Sequence, residues 1–166
     1  MSKLHPIKHD LPGTLWCGPA ALSITTGQPT SVIHKHILAR TGKRRVKGVT
    51  NLVLGHVANE LGFKLELIYS WTEDHRYETQ WGIPLRIQNP VPTLARFLRE
   101  HRKDIAAAPV IVNVTRHYVV VHGRTFVDNQ VRVPMPAKKA PGRRRRVFKA
   151  WKVVPVRTTN LLTCPA

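Results

Sequence analysis

Acidic residues are scarce in this chain of 166. Nine Asp and Glu stand against 27 Lys and Arg, leaving a formal charge of +18. A surplus of that size bears on partners rather than on fold, and it points to something acidic: nucleic acid, an anionic surface or an acidic protein. Cysteine is scarce as well. Two thiols, Cys17 and Cys164, are too few for a disulfide scaffold. No run of about 18 apolar residues is available to span a membrane. The longest candidate, PVIVNVTRHYVVVHG, is interrupted by Asn113, Thr115, Arg116 and His117. The opening MSKLHPIKHDLPG has no apolar signal-peptide core. The expectation is a chain kept in a reducing cytoplasm with both cysteines as thiols, unless it is carried in a larger particle. Apolar residues are not in short supply. At 42% they exclude a low-complexity disordered chain, and the length suits one domain over residues 1–166 with a core of its own.

The charge is uneven. Residues 129–166 hold ten basic residues and no acid, whereas residues 1–128 hold 17 basic and 9 acidic, a balance of +8. Within the basic quarter, PMPAKKAPGRRRR (134–146) is too rich in Pro for the interior of a helix or strand. It predicts a flexible loop or flap between two strands, and residues 157–166 predict a tail. Lys138, Lys139, Arg143, Arg144, Arg145 and Arg146, with Trp151 following, form a candidate polyanion-binding patch. The alternative is a solvated loop with no partner. No sequence-reading motif accompanies the patch, so any nucleic-acid binding is expected to be non-specific and salt-dependent.

Four helical patterns precede that quarter. The first runs from Cys17 to about Thr26, with Pro19 in its first turn and Gly27 as its stop. The second follows Thr30 or Ser31 as N-cap and ends at Gly42, with Ile33 and Ile37 inward. The third starts at the N-cap Thr50 and ends at Gly62, with Val53, Val57 and Leu61 on one face. The fourth follows Pro92-Thr93 as one helix, LARFLREHRKD, with Leu94, Phe97 and Leu98 inward. Strand patterns follow the helices. Phe63, Leu65, Leu67 and Tyr69 alternate on one face, then come Val110–Val114, His117–His122, Arg124–Asp128 and Val147–Val156, with a hairpin turn at His122-Gly123. Helices followed by a mostly antiparallel sheet imply the α+β class.

Two segments carry chemistry. In LWCGPAAL, Cys17 falls where a loop becomes a helix, and there unpaired N–H groups and the dipole favour a thiolate. Gly18 would let a substrate carbonyl approach the backbone. The alternative is that Cys17 is a small buried hydrophobe. In HYVVVHGRTFVDN, His117 opens a strand and Asp128 ends the next. A hairpin between them would fold Asp128 back toward His117, so that the carboxylate orients the imidazole and the imidazole activates the thiol. The alternative is a strand-end His bonded to backbone or water. His34 and His36, at i, i+2 on a helix, point to different faces and do not make a shared metal site. No metal or cofactor is expected.

Taken together, LWCGPAALSITTG, KGVTNLVLGHVANELGFKLEL, PTLARFLREHRKDIAAAPVIVNV and HYVVVHGRTFVDN resemble the papain-like cysteine peptidases of the bacteriocin-processing (double-glycine leader peptidase) type. The resemblance covers roughly residues 12–129. It implies a papain-like fold, with N-terminal helices packed on an antiparallel β-sheet. It also implies Cys17 as nucleophile, His117 as general base and Asp128 as the orienting residue, with Asn129 as a fallback. The substrate would be a peptide or protein cleaved at a peptide or isopeptide bond. No membrane part accompanies the pattern, so the leader-peptide substrate of transporter-fused members is not implied. One position departs from the family. A Gln that donates to the oxyanion stands about six residues before the family's Cys, and here that position is Leu11, with His9, Asp10 and Thr14 nearby. The departure and the basic quarter motivate a second reading: a retired peptidase fold serving as a basic structural or nucleic-acid-associated module, such as a virus-particle component. A third reading joins the two, as a working peptidase whose basic flap holds an acidic substrate.

Overall fold

Helix starts and stops follow local chemistry at most ends of the N-terminal layer. The structure, a computed structural model, describes residues 4–71 and 91–156. Cys164, the expected tail and residues 72–90, with Glu73, Asp74 and Glu78, lie outside the described residues. Helix α1 spans Cys17–Thr26 and stops at Gly27, whose φ of 74° is the left-handed conformation that glycine adopts without penalty. Helix α3, Asn51–Glu60, is capped by the Thr50 hydroxyl, which accepts from Val53 N–H at 3.3 Å.

Helix α2, Thr30–Thr41, departs from the expected start. Its N-cap is Pro29, which has no side chain to offer. The carboxylate of Asp10 takes over that work, accepting from Ser31 N–H at 2.8 Å and from the Thr30 hydroxyl at 3.0 Å. The hydrogen bonds from Ser31 hold the Asp10 carboxyl down at about 2. The N-terminal segment is laid along α1 and α2 by further bonds, His5 N–H to Ile24 C=O at 2.9 Å and Thr30 N–H to Lys8 C=O at 2.9 Å.

The expected fourth helix is two. Helix α4 spans Leu94–Glu100 and α5 spans Arg102–Ala107, with a break at His101. At about 100° per residue, a straight helix would turn Ile105 some 80° away from Phe97. The break lets both bury fully or nearly so, at 0% and 2% exposed. The His101 ring stacks on Phe97 at 4.5 Å between centroids.

Strands β1 (Phe63–Ser70), β2 (Val110–Val114), β3 (His117–His122), β4 (Thr125–Val127), β5 (Met135–Pro136) and β6 (Val147–Pro155) form one antiparallel sheet in the order β1-β6-β2-β3-β4-β5. The N-terminal helices pack on this six-stranded sheet, an α+β arrangement. Helices α1 to α3 cover one face through Leu22, Ile33, Leu54 and Val57 against Ile111, Val120 and Val153. On the other face α4 and α5 bring Leu94, Phe97 and Ile105 against Val110, Val112, Val119 and Phe126. With helices on both faces, β2 and β3 read as near-continuous apolar runs instead of alternating. The alternation expected of β1 is broken by a bulge between Leu67 and Tyr69. Phe63 and Leu65 pack with α1 to α3, Ile68 and Tyr69 pack on the other side, and Leu67 is left exposed. The β3–β4 turn is Gly123-Arg124, one residue later than expected, because His122 pairs with Thr125. Gly123, with φ 58°, occupies its first central position.

The expected flap at 134–146 is pinned. It holds β5 and a 3-10 turn over Ala137–Lys139, and buries Ala137 and Ala140. Its carbonyls at Arg145 and Arg143 accept from Leu94 and Ala95 N–H at 2.9 and 3.0 Å. The first turn of α4 thereby finds acceptors that no residue of its own could supply.

Gly18 is buried and is required by packing. A Cβ built on it would lie 2.8 Å from Val49 Cγ2. Beside the expected role of admitting a substrate carbonyl, Gly18 permits close approach between α1 and the segment before α3. Gly18→Ala is therefore expected to cost about 1–3 kcal/mol of stability by overpacking. Adding Val49→Ala should restore part of that loss, a non-additivity read directly from denaturant unfolding of the two single variants and the double variant.

Candidate active site

The register of one hairpin brings the histidine and the aspartate together. His117 is the first residue of β3 and Asp128 directly follows β4; pairing of Val120 with Val127 aligns the two strand ends. His117 Nε2 lies 3.0 Å from Asp128 Oδ2, with the two residues 9% and 3% exposed. The other carboxylate oxygen accepts from Gln130 N–H at 2.9 Å and Val131 N–H at 2.7 Å. Burial pushes the Asp128 carboxyl up, but the bond from His117 and those two N–H groups outweigh it and hold the carboxyl below its ordinary value.

Cys17 meets the same imidazole from the other side. It is the first residue of α1, half-buried, and close enough to His117 for the imidazole to act on its thiol. Since Nε2 is committed to Asp128, Nδ1 is the nitrogen left to face sulfur. Burial pushes the thiol up, but the His117 bond, the Tyr118 N–H, the imidazolium charge and the Gly18 N–H together pull it below a thiol's ordinary value. For His117, burial favours the neutral ring, yet the bonds to Asp128 and to Cys17, with the charges of both, raise it to about 9. Thiol and ring thus each favour the charged form of the other, a thiolate–imidazolium pair at a helix mouth.

Of the residues predicted for the site, Cys17, His117 and Asp128 converge. Asn129 does not reach the imidazole. Its Nδ2 donates to Leu15 C=O at 2.8 Å, which ties the turn after Asp128 to the chain just before Cys17. The candidates for the missing oxyanion donor also divide. His9 bonds Thr30 Oγ1 and Gly13 C=O, both at 3.3 Å, and Asp10 caps α2, so neither is spare. Thr14 is exposed, three positions before Cys17. The Cys17 N–H also has no acceptor within the helix, where the first bond is Ala20 N–H to Trp16 C=O at 3.0 Å.

Tyr118 was not singled out by sequence. Its backbone N–H is among the groups that lower the Cys17 thiol, and its hydroxyl donates to Asn51 Oδ1 at 2.6 Å and contacts Val49 C=O at 3.1 Å. Asn113 Nδ2 reaches the same Asn51 oxygen at 2.7 Å. This network pins the start of α3 to β2 and β3 beside the site. Its one sequence trace is polar residues (Asn113, Tyr118) within otherwise apolar strands. Among the described residues no three His, Cys, Asp or Glu side chains converge as a metal-ligand set, and no helix is long and apolar enough to cross a membrane.

The six cations named from sequence lie in different surroundings. Lys138 and Arg143 line a cleft against α4 and α5. The Arg146 guanidinium donates to Val91 C=O at 2.8 Å, and the Arg145 side chain lies against Gly142. Lys139 and Arg144 are exposed outside the cleft lining.

The imidazole titration provides a test. Asp128→Ala removes a cause that raises His117, so the His117 value should fall from about 9 toward the ordinary imidazole range, read from ring resonances in a pH series. In parallel, alkylation of Cys17 by iodoacetamide at pH 6 should outpace that of a free cysteine, and His117→Ala should erase the advantage.

Comparison with protein-family models, with curated proteins and with solved structures finds no match to this chain.

Proposed function

We propose that the protein is a cysteine peptidase of papain-like fold, acting on a peptide or isopeptide bond through Cys17, His117 and Asp128. The observation that carries this reading is the shared imidazole: one buried ring between a carboxylate at 3.0 Å and a thiol at a helix N-terminus. The order of parts supports it too, with the thiol on the first helix and the ring about a hundred residues later at a strand start, as in the family the sequence resembles.

In the reaction, the Cys17 thiolate attacks the carbonyl carbon, and the oxygen takes the negative charge. The Cys17 N–H donates to that oxygen. His117, protonated at Nδ1, gives its proton to the leaving amine, and a thioester remains on Cys17. Water enters, His117 takes its proton, and the carboxylic acid departs as the thiolate is restored. Asp128 stays ionised throughout and keeps Nε2–H pointed at itself, which fixes Nδ1 toward sulfur. Absence of the family's Gln removes one oxyanion donor, a deficit of about 10²–10³ in rate that sets expectations for turnover.

The retired-module reading is disfavoured by the cost of the pair. Two ionisable groups nearly sealed from water, and a thiol drawn below its ordinary value, are expensive to keep where packing alone is at stake.

Turnover of a peptide-library substrate should vanish in Cys17→Ala. In Asp128→Asn it should fall by about 10²–10⁴, the usual worth of a positioned acid–base group. For the wild type, kcat/KM should rise as the thiol ionises below its ordinary value and fall as His117 loses its proton near pH 9. Wild-type protein that shows neither hydrolysis nor labelling by a peptidyl vinyl sulfone would overturn the proposal.

A further inference from the structure

Away from the thiol, on the face of the sheet covered by α4 and α5, lies a half-open cleft of about 790 Å³. Three separate stretches wall it: α4–α5, the Gly123-Arg124 turn and the segment after β5. Arg99, Arg102, Lys103, Arg124, Lys138 and Arg143 supply six cations to its lining, and no carboxylate among the described residues lines it. Ala95, Leu98, Pro136 and Ala137 supply an apolar floor to the lining. Neighbouring acids are engaged elsewhere. Glu100 pairs with Arg96 at 2.6 Å, and Asp104 faces Lys152 at 3.4 Å and His101 at 3.3 Å.

Six like charges around one cavity repel each other, and nothing in the packing of α4 or α5 requires them, since Arg99, Arg102, Lys103 and Arg124 are all exposed. Their cost is repaid only when an anion enters. A low-dielectric floor beneath them strengthens that attraction. The mixture of rim and floor also discriminates between anions. A polyglutamate segment brings charge and little apolar surface. A single nucleic-acid strand brings one phosphate per nucleotide together with a flat base, so the rim and the floor are both used. Four of the six cations are arginines, whose planar fork matches phosphate oxygens in pairs and whose face stacks on a base.

We infer that this cleft binds single-stranded nucleic acid without sequence preference, with phosphates on the arginine rim and bases on the Leu98–Pro136–Ala137 floor. The site is independent of the Cys17 chemistry. It also differs from the linear basic run, since four of its six cations come from α4, α5 and a β-turn.

The test uses the full chain and a fluorescent single-stranded oligonucleotide of about ten nucleotides. The Arg99→Ala/Arg102→Ala/Arg124→Ala variant alters exposed side chains only. It is compared with Lys43→Ala/Arg44→Ala/Arg45→Ala, which removes equal charge from the α2–α3 connection, where all three side chains are exposed. Anisotropy at low salt should show tight binding by the wild type. The cleft variant should lose about tenfold or more, with the slope of log affinity against log salt shallower by about 2, at roughly 0.7 per lost contact. The connection variant should stay within about twofold of the wild type, and both variants should keep the wild-type rate of Cys17 alkylation. Equal losses in the two variants would reduce the effect to diffuse charge and overturn the site. Competition by polyglutamate as strong as by unlabelled oligonucleotide would assign the cleft to acidic peptides instead and overturn the nucleic-acid reading.

Discussion

A buried hydrogen bond of 3.0 Å between His117 and Asp128 sets the electrostatics of the whole site. Without the carboxylate, a ring so deeply placed would favour its neutral form, because burial opposes its charge. With it, the ring keeps a proton, and that proton draws the Cys17 thiol toward its anion. The carboxylate is in turn kept ionised by the two N–H groups of its own turn, from Gln130 and Val131. Backbone amides thus favour the carboxylate's charge, the carboxylate the imidazole's proton, and the imidazolium the thiolate. Each step depends on the register of one short hairpin: a slip of one residue would send His117 to the other face of the sheet.

The scaffold serves that bond by being covered on both sides. Helices α1 to α3 seat the sulfur against the first face, while α4 and α5 seal the second. The central strands can therefore be mostly apolar, with Asn113, Tyr118 and the two histidines as their polar positions. The hydrogen bond from Asn129 to Leu15 fastens the two halves of the site together at the end where they meet.

Much of this was readable in the chain itself, and what was readable was local. Thr50, Gly27 and Gly42 mark helix ends because their preferences act within one turn. The apolar runs of β2 and β3 mark buried strands, and LWCGP marks a helix mouth. The missed features all join residues far apart in the chain. Asp10 caps a helix twenty positions on, a start that Thr30 and Ser31 seemed able to provide alone. The break at His101 exists because Phe97 and Ile105 must face one core, a demand no propensity encodes. Gly18 reads as open space for a substrate until Val49 is seen beside it. Asn129 reads as an understudy for Asp128 until Leu15 is found to hold it. Basic residues read as a run because sequence counts neighbours along the chain, whereas the cleft gathers cations from three stretches.

The pinning of residues 134–146 has its own consequence. The carbonyls of Arg143 and Arg145 cap α4, while the guanidinium groups of Arg143 and Arg146 donate to Lys138 C=O and Val91 C=O at 2.7 and 2.8 Å. Four consecutive arginines would ordinarily invite trypsin-like cleavage. A protease needs the backbone extended and free, and here that backbone is the cap of a helix whose Phe97 is wholly buried. Resistance to nicking at this run therefore reports on the integrity of the second helical layer, and the segment richest in charge becomes a gauge of how well the apolar core beneath it holds.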